Sequence, residues 1–204
     1  CSGGLLQYLP MLINFLLPML DDARPLVRST TCWTLSRFSR WVLQCTRPSN
    51  DPNAMPQQQG MEQLNTLTTA LCKRCLDHNK HVQAAACGAI ATLLAEGQDT
   101  LAPWTETIVQ TLTQALATYQ RKNMRNLYDA LTMLAENIGP SIEDARYAGA
   151  ILPGMLQKWE NANKVDPELY HLLECLTAII VGLGQASAEF SSGIFAKCIS
   201  ALTY

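Results

Sequence analysis

Residues 127–138 read Leu127-Tyr128-Asp129-Ala130-Leu131-Thr132-Met133-Leu134-Ala135-Glu136-Asn137-Ile138. Leu127, Leu131, Leu134 and Ile138 fall at i, i+4, i+7 and i+11, one stripe along an α-helix. Asp129 and Glu136 lie off that stripe. The pattern recurs upstream at Val82, Ala86, Ile90 (or Ala89) and Leu93, and downstream at Leu172, Leu176, Ile179 and Leu183. Val27, Thr31, Leu35 and Phe38 give a weaker version. No segment alternates in the manner of a strand between hairpin signals.

The four stripes align on Val27, Val82, Leu127 and Leu172. The last two steps are each 45 residues long, the spacing of HEAT or armadillo arrays. The first step is ten residues longer, and residues 44–60, QCTRPSNDPNAMPQQQG, account for the excess. That segment is rich in Pro, Asn and Gln without an apolar period, so it reads as a solvated loop. A second helix precedes each stripe, at about 5–20, 61–77, 101–120 and 147–160, with a last one at about 190–203. Turns within the pairs are expected at Asp21-Asp22, Asp77-His78-Asn79, Arg121-Lys122-Asn123 and Asn161 to Pro167. Breaks between pairs are expected at Gly97, Gly139-Pro140 and Gly182/Gly184.

The fold expected is all-α, a single HEAT-type α-solenoid over 1–204. Its repeats would cover 5–43, 61–97, 101–139 and 147–184, with the first helix of a fifth at 190–203. A lone helix pair cannot bury its apolar face, whereas stacked pairs share a core. The composition agrees, with 48% hydrophobic residues against 16% charged.

In such arrays the second helices usually line the concave side, where extended partners bind. The residues opposite the apolar stripe form three columns: Ser29, Ala84, Asp129 and Glu174; Trp33, Gly88, Met133 and Ala178; Arg37, Thr92 and Asn137. Steps of four keep them on one helix face. A Trp offers a flat platform for Pro or aromatic groups, and carboxylates pair with Lys or Arg.

Other chemistries find little support. A net charge of −2 gives no global field for nucleic acid, and basic residues do not cluster with aromatics. The apolar stretch Leu5–Leu20 contains Gln7, Pro10, Asn14 and Pro18, and is shorter than the roughly 20 residues a bilayer span needs. It reads as a buried helix. Of the eight cysteines, Cys32, Cys87 and Cys175 sit inside amphipathic runs, which favours reduced thiols over a disulfide framework. Cys72, Cys75, His78 and His81 form C-x2-C-x2-H-x2-H, but zinc fingers separate the two pairs by about 12 residues or more. No metal or cofactor is expected. No nucleophile elbow, phosphate loop or HExxH is present, so no enzyme activity is expected either.

Val27-Arg28-Ser29-Thr30-Thr31-Cys32-Trp33-Thr34-Leu35-Ser36-Arg37 resembles a repeat of the transportin family, nuclear import receptors of the importin-β (karyopherin-β) superfamily. Asn79-Lys80-x-Val82-Gln83-x-Ala85-Ala86-Cys87, Tyr119-Gln120-x-Lys122-Asn123, Leu127-Tyr128-Asp129-Ala130, Gln157-Lys158-Trp159 and Leu172-Leu173-Glu174-Cys175-Leu176 extend the resemblance in order along the chain. It implies a central block of the receptor, which binds cargo proteins through proline–tyrosine nuclear localisation signals. It also implies shuttling between cytoplasm and nucleus through the pore. Ran GTPase and nucleoporins would be partners of the full-length receptor, with the Ran-binding repeats preceding Cys1.

By the same resemblance, Trp33 and Arg37 hold the Pro-Tyr end of the signal. Thr92, Asp129, Glu136 and Glu174 line the path of its basic or hydrophobic N-terminal part. Thr30 stands where the family is apolar, and Ala84, Ala95 and Met133 where it is polar or acidic, which lowers the acidity of the path. The rival reading is a HEAT scaffold of another kind, such as a phosphatase or condensin-like subunit. No nucleic-acid or membrane partner is expected.

Overall fold

The computed structural model describes residues 8–50, 54–142, 144–162 and 167–202. Among these residues all regular structure is helical. The elements are α1 (Leu9–Leu16), α2 (Pro25–Ser36), α3 (Ser39–Cys45), α4 (Gln57–Cys75), α5 (Lys80–Gly97), α6 (Thr105–Thr118), α7 (Arg121–Ile142), α8 (Ala145–Asn161), α9 (Pro167–Leu183) and α10 (Ser191–Leu202). Short 3-10 stretches follow α1 (Leu17–Asp21), α5 (Gln98–Trp104) and α9 (Gly184–Phe190). The chain forms two compact units, Cys1–Thr100 and Leu101–Tyr204.

In the first unit α2 packs along α5, α4 packs on α5, and α3 touches both α4 and α5. The expected stripe Val82, Ala86, Ile90 and Leu93 is buried, as is Ala89. Each Leu or Ile so buried contributes about 1.5–3 kcal/mol. Pro25 opens α2 at a position where its missing N–H costs nothing. Asn79 caps α5 by accepting a hydrogen bond from the His81 N–H.

The second unit repeats the scheme. There α9 packs along α7, α6 meets α7 and α8, and α8 meets α9. Leu127, Leu131, Leu134, Leu172, Leu176, Ile179 and Leu183 are all buried. Gly182 sits against Ala135, where an added Cβ would come within 2.9 Å of the Ala135 carbonyl oxygen. This glycine lets α9 approach α7 closely. The stretch Pro167–Ile199 is long and apolar enough to cross a membrane by composition. Here, however, it bends at Gly184, which has φ 49°, and α9 turns its Leu stripe into the unit's core.

Several boundaries differ from the expectation. The loop of 44–60 is shorter at both ends. Its first residues, Gln44 and Cys45, close α3, and its last four open α4. Gly60 is buried there, and any Cβ would meet the Cys45 carbonyl oxygen at 2.1 Å, so only glycine fits. Arg121-Lys122-Asn123 is the first turn of α7, since nothing in it breaks a helix; the chain turns instead at Tyr119-Gln120. Nor does α7 break at Gly139-Pro140; it runs to Ile142. A proline in a last turn removes one hydrogen bond, and the helix ends two residues later. The third first-helix starts at Thr105, after the 3-10 stretch that contains Pro103. Leu5–Gln7, residues 51–53, the Ile138 side chain, 163–166 and Thr203 lie outside the described residues.

The weak stripe on α2 also changes. Thr31 and Leu35 are buried, but Val27 and Phe38 are only half-buried, and the helix stops at Ser36 before Phe38. Arg28 takes the inner position instead. Its guanidinium donates to both Asp77 oxygens at 2.9 Å, and to the carbonyls of Asp22 (2.8 Å) and Ala23 (3.0 Å). Asp77 also accepts from Arg74 Nη1 at 3.0 Å and from the Asn79 N–H at 2.9 Å. Burial raises the Asp77 pKa, but hydrogen bonds led by Arg28 outweigh it, and the carboxyl ends below its ordinary value.

Candidate functional site

The α2 register that turns Arg28, Thr31, Cys32 and Leu35 inward turns Trp33 outward. Trp33 is 63% exposed, which makes it a surface aromatic and not a core one. Leu26, one heptad earlier on the same face, is exposed as well. Arg37, one turn beyond Trp33, is exposed at the C-cap of α2. Trp33 and Arg37 therefore share one face of α2, as the spacing predicts.

Thr92 lies on α5, the helix that α2 packs along. It is half-buried, and its hydroxyl donates to the Gly88 carbonyl at 2.9 Å. The hydroxyl proton is thus engaged within α5, so Thr92 can offer a ligand only an acceptor and a methyl group. Gly88 is exposed, with open space wherever its Cβ would be. The first unit so presents an indole, a guanidinium and an unfilled helix surface.

In the second unit Asp129 and Glu136 are exposed on α7, and Met133 is half-buried between them. The Asn137 side-chain amide donates back to the Met133 carbonyl at 3.0 Å. Glu174 is exposed on α9. It does not stand alone. The Tyr170 hydroxyl hydrogen-bonds to Glu174, which raises the tyrosine pKa, and His171 Nδ1 lies 3.8 Å from Glu174 Oε2. The rings of Tyr170 and His171 meet edge to face, with centroids 5.8 Å apart. Tyr170 and His171 escaped the sequence reading. Their spacing of four and three residues before Glu174 was the available signal.

The Cys72, Cys75, His78 and His81 set does not converge. Both thiols are buried in the first unit, Cys75 completely, while the two imidazoles are exposed. Among the described residues no group of three or more His, Cys, Asp or Glu side chains could hold a metal ion. Cys32, adjacent to Trp33, is also buried, and burial pushes its thiol up to about 12.

A family model described as a HEAT-like repeat matches residues 1–38. The chain is 41% identical over 200 residues to Transportin-1 of Oryza sativa subsp. japonica, and 38% identical to Transportin-1 of Mus musculus. It is 38% identical over 199 residues to Importin subunit beta-2 of Schizosaccharomyces pombe. These matches cover 97–98% of this chain but only 21% of each relative, so the chain spans about a fifth of their length. Among solved structures, Kap121p superposes with a TM-score of 0.75 over 100% of this chain and 18% of its own, at 17% identity. That likeness establishes the solenoid fold. With sequence similarity running through both units, the chain is a HEAT-repeat segment that belongs with the transportins of the importin-β superfamily.

Proposed function

We propose that the chain is the cargo-recognition part of a nuclear import receptor and binds proline–tyrosine nuclear localisation signals. The observation that carries this reading is Trp33. It is a largely exposed indole beside an exposed Arg37, on a helix whose inner face is satisfied by Arg28, Thr31, Cys32 and Leu35. Trp33 and Leu26 expose apolar surface on one face of α2 beside Arg37, and Trp and Arg are the side chains that most often anchor binding energy.

On this reading Trp33 takes the Pro or Tyr ring of the signal and Arg37 binds its backbone carbonyls or terminal carboxylate. In the second unit Asp129, Glu136 and Glu174 attract the basic residues that precede the Pro-Tyr pair. Thr92 contributes a weaker, acceptor-only contact. The relatives' names, Transportin-1 and Importin subunit beta-2, support transport as the role, and Kap121p has been solved bound to a protein, Pho4p. Shuttling between cytoplasm and nucleus, and engagement of Ran GTPase and nucleoporins by the whole receptor, belong to the same reading.

The test is fluorescence-polarisation titration of this chain against a labelled Pro-Tyr signal peptide and its Ala-Ala variant. Loss of an aromatic anchor of about 1–3 kcal/mol makes the variant roughly five- to a hundredfold weaker. Equal affinity for the two peptides would refute the assignment.

A further inference from the structure

Beyond Arg37, the chain bends at Phe38 and restarts as α3. There Arg40, Leu43, Gln44 and Arg47 face Glu96 across an open cleft of about 290 Å³. Glu96 lies one helical turn beyond Thr92 on α5, and Arg40 three residues beyond Arg37. The cleft thus lies in the same unit as Trp33 and Arg37 and is close to Arg37 and Thr92 along the chain. Arg40, Gln44 and Arg47 are exposed. Glu96 Oε2 is enclosed, yet it accepts no hydrogen bond. Among the described residues neither guanidinium forms an ion pair.

The charges define what fits. Two guanidiniums against one carboxylate leave a single net positive charge, which matches a monoanion. A phosphate dianion would be opposed by Glu96. A guanidinium or ammonium ligand would be opposed by both arginines. The enclosed Glu96 oxygen has no donor, so the carboxylate gains a hydrogen bond by turning toward the cleft to accept the backbone N–H of a peptide residue. We propose that this cleft receives the carboxylate of an Asp or Glu in the bound protein segment. Arg40 and Arg47 hold that carboxylate, and Glu96 accepts the same residue's backbone N–H. The inference rests on the reading of Trp33 and Arg37 as a peptide surface, and adds to it an acidic preference beside the Pro-Tyr pair.

Two measurements test it. In the first, signal peptides carry a Glu immediately before or immediately after the Pro-Tyr pair, with Ala versions as reference. One Glu peptide binds about five- to tenfold more tightly than its Ala partner, and the gain disappears in Arg40→Gln/Arg47→Gln. Those arginines are exposed, so the variant keeps the fold and binds the Ala peptides as before. A gain that survives in the variant, or no gain from either Glu peptide, overturns the proposal. In the second, the arginine Nε–Hε resonances are followed while acetyl-Glu-amide is added, a monoanionic probe with no Pro-Tyr pair. Saturable shifts at Arg40 and Arg47, absent with acetyl-Gln-amide, support the cleft even if the Pro-Tyr reading fails. Their absence counts against the cleft even if that reading succeeds.

Discussion

Two glycines illustrate how single residues set the balance between packing and binding. Gly88 and Gly60 both lie in helices, where glycine costs about 1 kcal/mol relative to alanine. Gly88 has nothing within 4 Å of its missing Cβ, whereas Gly60 has the Cys45 carbonyl oxygen at 2.1 Å. Gly88→Ala should therefore stabilise the chain by about 0.4–1 kcal/mol, mainly through the unfolded state. Gly60→Ala should destabilise it by about 1–3 kcal/mol, because α4 must move off α3. Urea denaturation of both variants checks the pair; a destabilised Gly88→Ala would mean that α5 is not open there. The sequence contains both glycines in plain view but says nothing of this contrast. Only the approach of a second backbone distinguishes them. Trp33 was legible for a different reason: its outward direction follows from aligning α2 with the stronger stripes of the other second helices.

At the scale of elements, periodicity located the second helices of each pair well, because their Leu and Ile stripes lie continuously against neighbours. It placed boundaries less well where a tertiary contact decides them. Composition alone assigns Gln57–Gly60 to a loop, yet Gly60 allows those residues to join α4 against Cys45. The same holds for α2, where the apolar pattern is thin because Arg28 occupies an inner position. Its ion pair joins α2 to the turn between α4 and α5. The Asp77 carboxyl is held below its ordinary pKa, so its contribution is complete above the unfolded value near about 4 and is lost as pH falls through the depressed folded value. Stability should therefore decline steeply below about pH 4, and the decline should be shallower in Arg28→Met. At neutral pH, Arg28→Met should lower the melting temperature by several degrees, because it strands a buried carboxylate. Lys73→Ala should barely change it, since the Lys73–Asp21 pair is more than half exposed on both sides. Thermal melts between pH 3 and 7 separate the two; equal effects would show that Asp77 is hydrated.

For the molecule as a whole, binding energy should be divided unequally between the two units. On the proposed function, the anchor in the first unit is an aromatic surface, whose contribution depends on desolvation and contact. In the second it is a set of exposed carboxylates, whose contribution depends on Coulomb attraction through water. Salt distinguishes these mechanisms, because screening over about 8–10 Å weakens exposed charge pairs and leaves stacking nearly untouched. Trp33→Ala should cost about 1–3 kcal/mol of affinity for a Pro-Tyr signal, with little change between low and physiological salt. Asp129→Ala, Glu136→Ala and Glu174→Ala should each cost less than about 1 kcal/mol, and their costs should shrink as salt rises. Glu174→Ala should be the smallest of the three, since Tyr170 and His171 already engage that carboxylate and a ligand must compete with them. Melting temperatures of all four variants should stay close to the parent, because every substituted side chain is exposed. Polarisation titrations at two salt concentrations, paired with melts, measure each quantity. If Trp33→Ala lowers stability by the 3–5 kcal/mol typical of a core aromatic while leaving affinity unchanged, the indole is a packing residue. The functional assignment would then lose the observation it stands on.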